Sequence, residues 1–313
     1  MRAREITLGV LLGALLIYAW RVDPSFVTMR AQVLLSSHLW ELAIIALPML
    51  LIIIAAGIDL SVGSMFALCA VTMGLLFERG VPVTWAALAA IGAGGIQGAT
   101  NGWFVSRLKV HPLLITLATM AAFRGIAEGI STARPLSGYP EAFLELANRK
   151  VLGLPLPGWL FVLLAVATAV MLGRTVFGRW VIALGNSERT TLFSGIPVAR
   201  VQLILFTLSG LACGLAAVLS VARNNTAKAD MGMGLTLEAI TAVMLGGAKI
   251  EGGASSVLGL VLGLVLIHET REFVSWHWKA NELNLIVLGS LLILSVLIQK
   301  IIEARNRVAS RPA

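Results

Sequence analysis

Residues 42–77 read LAIIALPMLLIIIAAGIDLSVGSMFALCAVTMGLLF, and the only charged side chain in the stretch is Asp59. A helix needs about 20 mostly apolar residues to cross the ~30 Å hydrocarbon core of a bilayer. Leu42 to Ile58 and Leu60 to Phe77 each come close to that length, and they are joined at the acid. The stretch is therefore two membrane passes with a polar break between them. The rest of the chain follows suit: 58% hydrophobic residues, 13% charged residues and a mean hydropathy of +0.90 over 313 residues. Soluble domains carry roughly 25% charged residues. Those numbers exclude a water-soluble enzyme, a disordered chain, a collagen-like repeat and a small disulfide scaffold. The expected fold class is all-α, a polytopic membrane protein.

Outward from that pair, further uncharged runs lie at Ile6 to Trp20, Gly80 to Ser106, Val110 to Phe123, Val151 to Gly173, Val201 to Ala222, Ala239 to Ala248, Gly252 to Ile267 and Leu283 to Gln299. About ten transmembrane helices result, and the eighth is too short to cross unless Met231 to Glu238 joins it. An even count puts both termini on one side. Taking that side as cytoplasmic puts inside the two most basic stretches, Arg174 to Arg200 and Lys300 to Arg311, as Lys/Arg retention requires. The net charge of +8 then reads as orientation, and no basic stripe supports a nucleic-acid partner. The first run has a basic start but no small-x-small cleavage site before Arg21, so it is expected to remain as a span. Trp20, Trp40, Trp85, Trp103, Trp159, Trp276 and Trp278 stand near run ends, where an aromatic belt belongs. Cys69 and Cys213 each sit in an apolar run, which argues for buried small side chains rather than a disulfide or a metal site.

Glycines recur at four-residue steps: Gly94, Gly98 and Gly102, then Gly210 with Gly214, and Gly259 with Gly263. Such faces let helix backbones approach closely in lipid. The break Gly57-Ile58-Asp59-Leu60-Ser61-Val62-Gly63-Ser64 has a weak counterpart at Gly246-Gly247-Ala248-Lys249-Ile250-Glu251-Gly252-Gly253-Ala254-Ser255-Ser256, with Ile58 aligned to Ile250. Paired breaks in corresponding halves occur in transporters built from internal repeats; two ordinary cytoplasmic turns would read the same way. If backbone leaves the helix at membrane depth, protein or a water-filled cavity must satisfy it, which makes Asp59, Ser61, Gly63, Gly252 and Gly253 candidates for shaping or gating a path. Arg124 and Glu128 are one helical step apart and are expected to pair. The scarcity of buried carboxylates and histidines weakens a proton-driven secondary carrier, which stays as the alternative. His268-Glu269-Thr270-Arg271-Glu272 fails the HExxH pattern, and the sequence holds neither a Gly-x-Ser-x-Gly elbow nor a P-loop, so no enzyme chemistry, cofactor or metal is expected.

Between the sixth and seventh of these runs lies a polar loop, about 174–200, containing GRWVIALGNSERTTLFSGIPV over 178–198. Asn186 or Ser187 can cap a short helix with Glu188 in its first turn, and Gly195 and Pro197 stop it. Leu192 and Phe193 then present apolar side chains. A soluble partner's groove and the membrane surface would both suit such a helix.

Three stretches in this order, the break at 57–64, the Ala-Leu-Gly…Ser-Gly-Ile loop, and Ala239-Ile240-Thr241-Ala242-Val243-Met244-Leu245-Gly246-Gly247…Gly252-Gly253, resemble permeases of bacterial ABC importers for monosaccharides. This is the ribose, xylose, arabinose, rhamnose and autoinducer-2 group, related to branched-chain amino acid permeases. The resemblance covers almost the whole chain. It implies one transmembrane permease domain over 1–313 in the bacterial inner membrane, paired with a second permease copy, two ATP-binding subunits below and a periplasmic sugar-binding protein above. It also implies that the loop is the coupling helix, with Ser187, Glu188, Leu192, Ser194 and Gly195 at the ATPase contact. Asn186-Ser187 replaces a common Gly-Asn, and Thr236 precedes Glu238 where many relatives have a Glu before an Asp. Residues 77–83, 112–117 and 151–157 look most like the autoinducer-2 and rhamnose members.

Overall fold

The structure, a computed structural model, describes residues 2–253 and 255–278 together with scattered positions between 283 and 297. Thirteen helices account for nearly all of it: α1 Arg2–Val22, α2 Met29–Leu35, α3 Leu39–Ile54, α4 Val62–Glu78, α5 Val83–Arg107, α6 Pro112–Ser131, α7 Glu141–Asn148, α8 Leu156–Arg174, α9 Val176–Asn186, α10 Glu188–Phe193, α11 Val198–Asn224, α12 Leu235–Leu245 and α13 Val257–Trp278. The expected all-α class holds. Among the described residues the only strands are two-residue pairs, Leu136–Ser137 with Thr226–Ala227 and Lys150–Val151 with Leu154–Pro155.

Among the described residues, five helical stretches are long and apolar enough to cross a membrane: Glu5–Val22, Met29–Ile54, Pro112–Ser131, Leu156–Arg174 and Val198–Asn224. α4 and α12 are apolar but shorter. The expected eighth run gains Leu235 to Glu238 but not Met231 to Gly234, because Gly234 takes a left-handed φ of 86° and starts the helix only at Leu235. At 1.5 Å per residue, α12 reaches about 16 Å, roughly half of the hydrocarbon core. Past Ile267, where the ninth run ends, α13 continues to Trp278. The tenth run, Leu283 to Gln299, lies largely outside the described residues, as does the basic stretch Lys300 to Arg311.

The core sits around α3, whose sixteen residues are all buried. A helix hydrophobic on every side belongs in the middle of a bundle, and α8, α11, α12 and α13 pack around it. Trp40, expected in an interfacial belt, is part of this core and only 8% exposed.

The spaced glycines explain close contacts between helices. A β-carbon at Gly94 would overlap the Gly210 carbonyl oxygen, and one at Gly210 would overlap that of Gly94. One at Gly98 would overlap the Phe206 carbonyl oxygen, and at Gly214 it would stand 2.6 Å from the Ile91 α-carbon. The glycine faces of α5 and α11 therefore fit into each other. In the same way Gly263 lies on the Ala242 carbonyl, 2.5 Å from a β-carbon built there, which docks α13 on α12.

Candidate translocation and coupling site

Both expected backbone breaks exist, and they are built alike. After α3, the Ala56 amide donates to the Ile53 carbonyl at 3.0 Å and the Gly57 amide to that of Ile52 at 2.9 Å. After α12, the Gly247 amide donates to the Met244 carbonyl at 3.0 Å and the Ala248 amide to that of Val243 at 3.2 Å. Each pair of bonds is a Schellman cap, which needs a left-handed residue; Ala56 at φ 60° and Gly247 at φ 101° supply it. The caps align Ala56 with Gly247, one residue away from the alignment of Ile58 with Ile250.

The two breaks meet. The Gly253 amide donates to the Ile54 carbonyl at 2.9 Å, which joins the second break to the end of α3. Gly185, in the last turn of α9, lies directly on that junction: a β-carbon there would overlap the Ile54 carbonyl oxygen and stand 2.7 Å from the Gly253 nitrogen. Gly252, at φ 89°, has no room for a side chain either, with the Gly185 oxygen 2.7 Å and the Ala56 β-carbon 2.8 Å from that position. Three backbone segments thus touch with no side chain between them.

Asp59 and Ser61 occupy the middle of the first break, both completely buried. The Asp59 carboxylate accepts from the Ser61 amide at 3.0 Å, the Ser61 hydroxyl at 2.6 Å and the Ser209 hydroxyl of α11 at 2.9 Å. Asn101 of α5 donates to the Ser61 hydroxyl at 2.8 Å. The carboxylate ties the break to α11, and through Ser61 to α5; it lines no open surface. Gly63 lies at the other end of the break. Its amide donates to the Thr236 hydroxyl at 3.2 Å, and a β-carbon there would stand 2.5 Å from the Gly232 oxygen. Here Leu60, Gly63 and Ser64 border a cavity of about 500 Å³ whose opposite wall is Gly232 to Leu237 and part of α6.

Arg124 of α6 also lines that cavity. Glu128 attracts it, as expected, but its Nη1 donates to the backbone carbonyls of Ala229 and Met231. A guanidinium at membrane depth needs acceptors, and a non-helical segment offers free carbonyls that a regular helix lacks.

The polar loop is two helices at an angle. Thr175 caps α9, accepting from the Gly178 amide at 3.1 Å, and Val181 and Leu184 bury into the core. At Ser187 the chain turns through extended backbone; its hydroxyl accepts from the Thr190 amide at 3.2 Å and caps α10. Only Thr191 of α10 is buried. Leu192 is 57% and Phe193 80% exposed, with Arg189 6.0 Å from the Phe193 ring. Glu188 pairs with Lys109 at 3.6 Å, Ser194 returns its hydroxyl to the Thr190 carbonyl, and Gly195 turns the chain at φ 77°. The five expected coupling residues therefore form one largely exposed knob, which begins two residues along the chain from Gly185.

Residues 32–296 match the model of the family described as "Branched-chain amino acid transport system / permease component". The chain belongs to this permease family. Among its curated relatives, the "Autoinducer 2 import system permease protein LsrD" of Escherichia coli strain K12 is 34% identical over 310 residues, covering 97% of this chain and 94% of the relative. The protein of the same name from Shigella flexneri gives the same figures, and that of Escherichia coli O157:H7 is 33% identical. No solved structure was found to match the chain. As a member of the permease family the chain is a transport subunit rather than an enzyme, and a multi-pass membrane protein of the ABC importer class.

Within this permease, sequence reading missed Gly185, Ser209, Asn101 and Gly232. Gly185 was visible only as part of a loop, and the other three become partners of the breaks through contacts between distant parts of the chain. Their network gives a first prediction. Asp59→Ala removes the acceptor of three buried donors, and at about 1 kcal/mol or more for each such bond the loss is about 3 kcal/mol. Asp59→Asn, which keeps one acceptor oxygen, should lose less. Unfolding of the intact chain in detergent micelles measures both; equal stability of Asp59→Ala and the parent would show that the network carries no fold energy.

Proposed function

We propose that this permease is the membrane subunit of an ATP-driven importer that passes a monosaccharide or an autoinducer-2-like solute into the cytoplasm by alternating access. The observation that carries this reading is the backbone junction at Gly185, where the end of the loop helix α9 rests on both breaks at once. The names of the relatives add the solute class. In this reading the chain is one permease domain, with ten spans and cytoplasmic termini, in the bacterial inner membrane. ATP-binding subunits grip Ser187, Glu188, Leu192, Ser194 and Gly195. A periplasmic binding protein delivers solute to the opposite end, and a second permease copy completes the path.

The geometry supports a mechanism for this reading. A partner drives the permease only if it binds two of its states with different affinity. Displacement of α10 moves the end of α9, and the glycine contacts pass that displacement to the two breaks without slack, because no flexible side chain intervenes. Asp59, Ser61 and Gly63 shape one break and Gly252 and Gly253 the other. Their capped ends are where the helices can hinge.

Two experiments test this. Proteoliposomes holding the permease with its ATP-binding and solute-binding partners should take up autoinducer 2 or L-rhamnose only with ATP. Uptake by the chain alone under a proton or sodium gradient would overturn the reading in favour of a secondary carrier. Gly63→Leu puts a side chain against the backbone oxygen of Gly232, so the break must separate from that segment, and uptake should fall by about tenfold or more even in chains that insert and fold. Parental uptake by that variant would remove the first break from the path.

A further inference from the structure

A second cavity, about 350 Å³, lies at the far end of α11 from the coupling loop, between Ser220, Arg223 and Asn224 of α11 and the starts of α3 and α12. The 27 residues of α11 extend about 40 Å, so the cavity and the loop are on opposite faces of the membrane. Its lining is unlike the rest of the bundle. Glu41 accepts from Arg223 at 2.8 Å, and Arg223 meets the His38 ring at 3.0 Å. Across the space Arg271 of α13 pairs with Glu238 of α12, and Glu272 completes the charged wall. Phe66 supplies an apolar face.

Two buried side chains in this wall are not fully used. The Oε2 atom of Glu41 and the Nε2 atom of His268 have no hydrogen-bond partner, although these residues are only 5% and 7% exposed. Buried polar atoms are nearly always paired, and leaving one unpaired forfeits its hydration without return. The charges also select. An anion entering the space meets Glu41, Glu238 and Glu272; a cation meets Arg223 and Arg271; an apolar molecule strips water from all five without replacing its bonds. A neutral solute bearing several hydroxyls fits, since each hydroxyl both donates to a carboxylate and accepts from a guanidinium.

We propose that this cavity is a recognition site for a neutral polyhydroxylated solute on its way into the permease, a proposal that rests on the import reading above. Its floor supports the same direction of travel. Gly232 and Met233 line both this cavity and the 500 Å³ cavity beside the first break, so the segment held by Arg124 separates the two chambers. Solute recognised in the outer chamber passes to the inner one when that segment shifts.

The test uses the full permease with its partner subunits in nanodiscs, with Cys69 and Cys213 replaced by Ala. Met233→Cys, at a position 76% exposed, is labelled with a membrane-impermeant maleimide in the presence of autoinducer 2 or L-rhamnose. Leu152→Cys, at an 89% exposed position outside the cavity, is the control. Saturating solute should slow labelling at Met233→Cys by about fivefold or more and leave Leu152→Cys unaffected. Adding Glu238→Gln or Glu272→Gln should raise the half-protecting concentration by about tenfold, the loss of one charged hydrogen bond. Import by the parent without protection, or protection indifferent to both Gln variants, overturns the cavity assignment. Protection without ATP-driven import keeps the assignment and overturns the import reading. Neither import nor protection overturns both.

Discussion

A chain carrying Leu192→Glu and Phe193→Asp is expected to insert and fold like the parent, yet to lose about a hundredfold or more of its ATP-driven uptake. The folding half of that expectation comes from exposure. Both side chains stand clear of the bundle, and α10 is held by Thr191 and the Ser187 cap instead. Surface changes away from such features cost within about 0.5 kcal/mol. The functional half comes from what two exposed apolar side chains gain on docking, about 1.5–3 kcal/mol each when fully covered. A carboxylate in their place adds a desolvation cost. Uptake and co-purification with the ATP-binding subunit read the result. Undiminished coupling would mean that α10 lies on the membrane surface, the other role its sequence allows. Glu188→Arg is a milder probe of the same surface. Its pair with Lys109 is exposed on both sides and contributes little to stability, so any large effect reports the partner.

The second large effect is expected at Gly185. Gly185→Ala, the smallest possible enlargement, puts a methyl group into the Ile54 carbonyl oxygen, and the neighbouring Gly253 nitrogen leaves no direction of escape. Both obstacles are backbone, so they yield only by separating α9 from the breaks. The cost should exceed about 3 kcal/mol, beyond the usual range for overpacking. Thermal unfolding of the intact chain measures it. Gly125→Ala is the control: it sits in helix α6 with nothing within 4 Å and should be neutral or slightly stabilising. If Gly185→Ala unfolds with the parent, α9 does not rest on the breaks and the proposed transmission fails. A variant that folds through compensating shifts should still show ATP hydrolysis without matching uptake.

Much of this was legible in the sequence because lipid imposes simple rules. The run from Leu42 to Phe77 announced two helices and the break at Asp59. The spacing of Gly94, Gly98 and Gly102 announced a close helix contact. The cap of α10 was readable because Ser187 and Glu188 act on the helix that follows them directly. What stayed hidden depends on contacts between distant segments. Nothing local distinguishes Gly185 from a loop glycine, and nothing near Ser209 or Asn101 announces that Asp59 will be their anchor. Arg124 was only half legible for the same reason. Glu128 is its neighbour in sequence, whereas the carbonyls of Ala229 and Met231 arrive only when the chain folds back. The cavity wall was hidden too, since Glu41, Arg223 and Glu238 sit in the end turns of separate helices, Arg271 follows the apolar run of another, and each looks, one at a time, like an ordinary interfacial charge.

The interlocked glycines of α5 and α11 have a mechanical consequence. With Gly94 and Gly210 each seated on the other's carbonyl, sliding one helix along the other by a residue would drive side chains into backbone. Shear, which packed helices use when bulky side chains can re-seat, is closed to this pair. In the proposed transport cycle the two helices would then travel as a single beam. Displacement would be absorbed where the backbone already departs from the helix, at the two capped breaks, so a rigid contact would decide where the bundle bends.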